Sequence, residues 1–138
     1  MNEKMKRMLR GRKGASLIET MAGFFVFIPL AFAAVDITVV ANAGQVNEEF
    51  AEQLARLCST VQSKSNAIKA CQDVLSIYQK PSNVASVNLD NLEFDVGLQE
   101  VTITTTMDVL LPIPFPGYSH QPLTAKAMQP IVSFPAPQ

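Results

Sequence analysis

The sequence predicts an α+β chain: a long N-terminal helix, a second shorter helix and a small antiparallel β-sheet. Three observations carry this. Apolar residues recur at helical spacing before Pro81 and at a spacing of two after it. A run long enough to cross a bilayer lies near the N-terminus. A cluster of basic residues stands immediately before that run. The chain accordingly divides into a basic head (1–14), a membrane helix (15–41), an amphipathic helical region (42–80) and a β-rich region (81–138). At 138 residues there is room for one domain. The membrane helix leaves roughly 80 residues for a soluble core, which is small and marginal alone.

The head is defined by charge. Six of the eleven Lys/Arg residues (Lys4, Lys6, Arg7, Arg10, Arg12 and Lys13) lie in the first thirteen positions, against one acid, Glu3. From Ala15 on there are five basic and eleven acidic residues, a formal charge of −6. A basic arm invites a nucleic-acid reading, because Lys and Arg neutralise phosphates and release counterions. Here no aromatic residue interleaves the charges and an apolar run comes at once, so no nucleic acid is expected as a partner. Positive residues before an apolar helix hold that end in the cytoplasm.

Between Ala15 and Val35 the only charge is Glu19, and Asp36 comes next. A membrane helix needs roughly 20 predominantly apolar residues, whereas Glu19 and Asp36 enclose sixteen uncharged ones. A carboxylate at the bilayer centre costs on the order of 3 kcal/mol. Near the two edges the cost is lower, so both acids make sense if the helix lies between them. Phe24, Phe25, Phe27 and Phe32 then face lipid or neighbouring subunits. Pro29 removes one backbone bond and permits local melting. Ala22 and Gly23 are small enough to let another helix approach.

Two processing schemes compete. In a secretory signal peptide, Met21 to Leu30 is the apolar core and Ala31-Phe32-Ala33 the cleavage site, so that a soluble protein begins at Ala34. In the other scheme the cut falls between Gly14 and Ala15 and the helix is retained. An uncleaved single-pass anchor displaying a binding module is the third possibility.

The run Arg12-Lys13-Gly14-Ala15-Ser16-Leu17-Ile18-Glu19 resembles the cleavage signature of type IV prepilins: a basic leader ending in Gly, then an apolar stretch with Glu at the fifth mature position. The residues beyond Glu19 resemble the TadE-like proteins of tight-adherence pilus systems. They include a mid-helix proline (Pro29), a closing acid (Asp36), an Ala- and Arg-containing helix from Phe50 to Arg56, and a β-rich tail. Many members carry an aromatic after the Glu, where this chain has Thr20. The resemblance covers residues 10 to 60 well and the rest in outline. It implies a minor pilin or pseudopilin held in the inner membrane, N-terminus inside, and processed by a prepilin peptidase. The implied partners are other pilin-like subunits and the pilus assembly platform, in a homo- or hetero-oligomer. Cleavage after Gly14 would give Ala15 a free amine one helical turn from the Glu19 carboxylate. Glu19 of one subunit could meet that amine on its neighbour, which offsets the cost of an apolar setting; otherwise Glu19 snorkels to the interface. The sizeable soluble domain argues against the very short major subunit of such pili.

From Val46 the helical period continues through Phe50, Leu54, Leu57 and Val61, with Glu48, Glu49, Glu52, Gln53 and Arg56 on the other face. Gly44 is a possible bend. A helix from Ala15 to Ser59 would measure roughly 68 Å, more than a bilayer, so its outer half must emerge and find cover. Ile68, Cys71, Leu75 and Tyr78 form a second stripe, ended by Pro81. Whether a break separates the stripes bears on the cysteines. In one unbroken helix Cys58 and Cys71 would lie about 20 Å apart. A turn near Ser63–Asn66 would bring them within the roughly 4.4–6.8 Å between Cα atoms that a disulfide needs. An exported domain would permit such a bridge, and free core thiols are the alternative.

Beyond Pro81, Leu92, Phe94, Val96 and Leu98 alternate with polar residues, as do Val101, Ile103, Met107 and Val109. These predict an antiparallel hairpin, with Val84–Asp90 as a short separate edge strand. Three prolines between Leu111 and Gly117 predict a loop. Leu123–Met128 reads as a returning strand and Ile131–Phe134 as an edge contact. No catalytic arrangement, phosphate loop or nucleophile elbow is present in the pattern. His120, the single histidine, reads as a solvated loop residue. Two cysteines thirteen apart make no zinc spacing, and neither metal nor cofactor is expected. The protein reads as a structural subunit and not an enzyme.

Overall fold

The computed structural model describes residues 3–61, 63–95, 97–115 and 117–132, with side chains for all of these except 3–15 and 114–115. The fold is α+β, in the order α1 (Glu3–Ser59), α2 (Lys64–Ile77), β1 (Val84–Asp95), β2 (Glu100–Phe115) and β3 (Tyr118–Pro130). The chain divides into two compact units, Met1–Ile37 and Thr38–Gln138. The described residues of the first unit are helix alone. Its backbone is helical from Glu3, so the basic head continues the apolar segment without a break, and Pro29 sits inside the same helix. α1 also passes through Gly44 uninterrupted.

In the second unit the rest of α1 packs on a three-stranded antiparallel sheet of order β1-β2-β3. The buried stripe of α1 is Ala43, Asn47, Phe50, Ala51, Leu54, Ala55, Cys58 and Ser59. This corrects the sequence reading, in which Val46, Leu57 and Val61 share the stripe with Phe50 and Leu54; those three are half-buried flanks. The alanines decide the difference. Ala51 and Ala55 are fully buried, so the centre of the contact falls on small residues. Val101, Ile103, Met107 and Val109 of β2 face this stripe, joined by Thr105, and all are fully buried. Ala125 and Ala127 of β3 extend the same face.

β1 is one strand of twelve residues and not a short edge piece followed by a hairpin arm. Its core-facing residues Val84, Val87, Leu89, Leu92 and Phe94 are spaced three, two, three and two apart. A regular strand would put Val87 and Leu89 on the face opposite Val84, Leu92 and Phe94. The register against β2 slips once between Val84 and Ser86 and again between Leu89 and Asn91. Each slip inserts one residue, Ala85 or Asp90, and restores the phase, which is what a β-bulge does. Both extra residues are tied. Lys80 Nζ donates to the Ala85 carbonyl, and Thr106 Oγ1 donates to Asp90 Oδ2 at 2.5 Å.

β1 ends at Asp95, earlier than the alternation through Leu98 implies. The Asp95 carboxylate accepts from the backbone N–H groups of Gly97 (2.9 Å) and Leu98 (3.0 Å), a side-chain-built turn. Gln99 completes the turn with a φ of 54°, and Leu98 is left exposed. Val96 lies outside the described residues.

The Pro-rich segment is a second correction. β2 continues through Pro112 to Phe115 although it is the central strand. Proline is tolerated there because β1 begins opposite Val109, so β2 runs past its neighbour and no β1 partner is denied an N–H. Pairing with β3 also lapses between Leu110 and Phe115. His120 consequently lies in β3, opposite Leu110, and not in a loop; its Nδ1 is 3.0 Å from Asp108 Oδ2.

A break does separate α2 from α1, but it falls between Ser59 and Lys64 and not over Ser63–Asn66, since Lys64, Ser65 and Asn66 already lie in α2. Ser63 caps it, accepting from the Asn66 N–H at 3.4 Å. Ala67 and Cys71 are its buried residues, and the ring of Tyr78 beyond its end packs tilted at 43° against Phe50 of α1, with centroids 4.3 Å apart. After β3 the chain is held by the Ile131 N–H to Gln99 O (2.8 Å) and the Val132 N–H to Ser59 O (3.1 Å). Phe134 lies outside the described residues. Leu54→Ala is expected to lower the unfolding free energy of the second unit by about 3 kcal/mol, measured by denaturant titration in detergent. Ile77→Ala, at an exposed position, should change it by less than about 0.5 kcal/mol.

Candidate functional site

The feature that stands out is the uncovered apolar surface of α1. Ser16–Ser59 includes an 18-residue window that is long and apolar enough to cross a membrane, and none of that window is buried by protein. Leu17, Ile18, Met21, Phe24, Phe25, Val26, Phe27, Ile28, Leu30 and Phe32 are all exposed. Successive residues turn by about 100° around an α-helix, so this run is apolar on every side. A helix of that kind belongs in a protein core or a bilayer, and among the described residues no protein core surrounds it. Met21, Phe24, Phe25, Ile28 and Pro29 line a shallow hollow of about 360 Å³ on it. A Cβ added at Gly23 would meet nothing within 4 Å. The segment is compatible with a single-pass membrane anchor.

Polar groups within this helix are few. Glu19 is exposed one turn above the boundary with the basic head. Thr20 turns its hydroxyl back to Ser16 O at 2.8 Å, which satisfies it without water. Gly14 and Ala15 are in helical backbone, and the surroundings of their side chains lie outside the described residues. The Ala15 nitrogen is an amide in the intact chain, so the amine implied for Glu19 would exist only after cleavage.

Two further polar sites lie in the second unit. The first is a buried tie that the sequence reading missed. Asn47, 1 % exposed, donates through Nδ2 to Leu123 O at 2.8 Å and more weakly to Thr105 O at 3.5 Å. Thr105, also buried, donates through Oγ1 to Asn47 Oδ1 at 2.9 Å. One side chain of α1 thus holds both β2 and β3. The signal was present: Asn47 falls three residues before Phe50 and seven before Leu54, on the core stripe. The second is the cysteine pair. The structure brings Cys58 and Cys71 together, both fully buried, with Sγ atoms 2.7 Å apart and the thiols unbonded. The hydrogen bond with Cys71, and burial after it, push the Cys58 thiol far above the ordinary cysteine range. The same contact with Cys58 pulls Cys71 down.

A polar groove of about 350 Å³ runs between Glu48 and Glu52 of α1 and residues 124–129 of β3. Its acids are solvated, and Glu52 pairs with Arg56 at 3.2 Å. Among the described residues, no three His, Cys, Asp or Glu side chains stand close enough to hold a metal ion. No family model, curated protein or solved structure matches the chain.

Replacing Asn47 with Leu strands the Thr105 hydroxyl and the Leu123 carbonyl in the core. Asn47→Leu should cost about 2 kcal/mol of unfolding free energy. Adding Thr105→Val should return part of that loss, read as a coupling energy in a double-mutant cycle.

Proposed function

We propose that the chain is a pilin-like structural subunit, of the minor pilin or pseudopilin kind found in tight-adherence systems. It is held in the inner membrane by α1 and cut between Gly14 and Ala15 by a prepilin peptidase. The observation that carries this reading is the continuity of α1: one helix supplies both the uncovered apolar segment and the stripe packed on the sheet. A cut after Gly14 removes the leader end of α1 and keeps both the apolar segment and the buried stripe on one helix. The basic leader keeps the N-terminus cytoplasmic, and the β-sheet unit stands outside. The new Ala15 amine then pairs with Glu19, within one chain or between neighbours. The exposed apolar faces around Gly23 and Pro29 are the surface along which such subunits would associate.

A secreted domain starting at Ala34 has one observation in its favour. The buried stripe of α1 begins at Ala43, so a cut after Ala33 would spare the whole core. It would, however, discard the membrane segment that the Gly14 cut retains.

Intact mass and N-terminal sequencing of the chain from its native membrane fraction separate these schemes. The expected start is Ala15, and Gly14→Val should leave the full-length chain uncut. A start at Ala34 would establish secretion instead, and an intact Met1 in cells with an active prepilin peptidase would establish an uncleaved anchor.

A further inference from the structure

Cys58 is the penultimate residue of α1 and Cys71 lies in the middle of α2. Their side chains are 0 % exposed, enclosed with Leu54, Ala55 and Ala67 in one buried cluster. The only other polar contact of either sulfur among the described residues is a long one, 3.8 Å from Cys58 Sγ to Ala67 O. A separation of 2.7 Å between the sulfurs is inside the roughly 3.5–4.0 Å at which even unbonded carbons rest. Buried free cysteines usually behave as small apolar residues packed among others. Two aimed at one another at the junction of two helices are placed for chemistry with each other.

We propose that Cys58 and Cys71 form a disulfide that staples α2 to the end of α1, and that the bond is made before α2 has finished docking. Burial sets this order. Thiol–disulfide exchange needs a thiolate to reach a sulfur of the oxidant, and neither cysteine of the docked structure can be reached. In the undocked chain, the Cys71 thiolate attacks one sulfur of an oxidant disulfide and expels the other. Docking then presents Cys58, which gives up its proton and attacks the Cys71 sulfur, releasing the second oxidant sulfur. Two S–H bonds are lost and one S–S bond is formed; the two electrons and two protons pass to the oxidant, which leaves as two thiols. The closed bond lies beneath the helix junction, out of reach of soluble reductants.

An oxidising surrounding for this domain rests on the extracytoplasmic placement proposed above, whereas the geometry of the pair does not. The test is maleimide labelling of the full chain, read by intact mass, after treatment with buffer, denaturant, reductant or denaturant plus reductant. Chain recovered from cells under an acid quench should take up label on its two cysteines only with denaturant and reductant together. The unlabelled mass should be lower than that of the dithiol by two hydrogens. Full labelling by reductant without denaturant would overturn the shielded bond and with it the order of events. The purified chain, unfolded and refolded in detergent with glutathione and its disulfide, should give the same pattern. A bond in the refolded chain with free thiols in the cell-derived chain supports the pair and removes the extracytoplasmic placement. Labelling by denaturant alone in both samples overturns the pair itself.

Discussion

The hydrogen bonds of Asn47 fix how α1 lies on the sheet. Apolar contact is non-directional, so a stripe of alanines would tolerate sliding along the strands. A buried amide does not tolerate it, because each unpaired group costs about 1–3 kcal/mol. Asn47 is satisfied only where Leu123 O and the Thr105 hydroxyl are both within reach. That position sets Phe50 against Tyr78 and carries Cys58 to the point where Cys71 arrives. α2, the cysteine pair and the Ser59–Val132 bond all share the helix register in which the Asn47 amide is satisfied.

The sheet meets the same demand with different means. Thr105 and its neighbours on β2 can face α1 only if β1 keeps its apolar residues on that side for twelve positions. Two inserted residues achieve this, and the polar side chains around them, Lys80 and Thr106, hold the insertions in place. The opposite face is left to threonines and charged residues, including a Thr106–Thr124 contact of 3.1 Å and the His120–Asp108 pair. One face therefore binds the helix and the other remains wet.

Much of this is legible in the residues. The switch of period at Pro81, the apolar helix, the turn before Lys64 and the central apolar alternation of β2 each arise from local patterning. The differences have physical sources. Period-two logic does not anticipate a bulge, so it divides β1 into two pieces where the phase slips at Leu89. Proline excludes a strand only where a neighbour needs its N–H, and β2 outruns β1 after Val109. Side-chain size selects Leu57 and Val61 for the helix stripe over Ala51 and Ala55, although the alanines are the residues on the face turned to the sheet and are fully buried. Asn47 escapes notice because a polar residue reads as surface unless a partner is in view, and its partners lie 58 and 76 residues away. The role of Glu19 is a different case. The pairing proposed for it would require an amine that only cleavage could create and, between chains, a neighbouring subunit, neither of which a single intact chain contains.

One helix thus has two parts: an uncovered apolar segment compatible with a membrane anchor, and a segment whose buried stripe packs on the sheet. The most direct test is whether the mature chain is an integral membrane protein. Membranes would be washed with alkaline carbonate, and intact spheroplasts treated with protease. The chain is predicted to stay in the washed membrane pellet, with its β-sheet unit cut from the outside. Release into the soluble fraction by osmotic shock, or protection of the β-sheet unit until the cells are lysed, would contradict a membrane-held, outward-facing subunit.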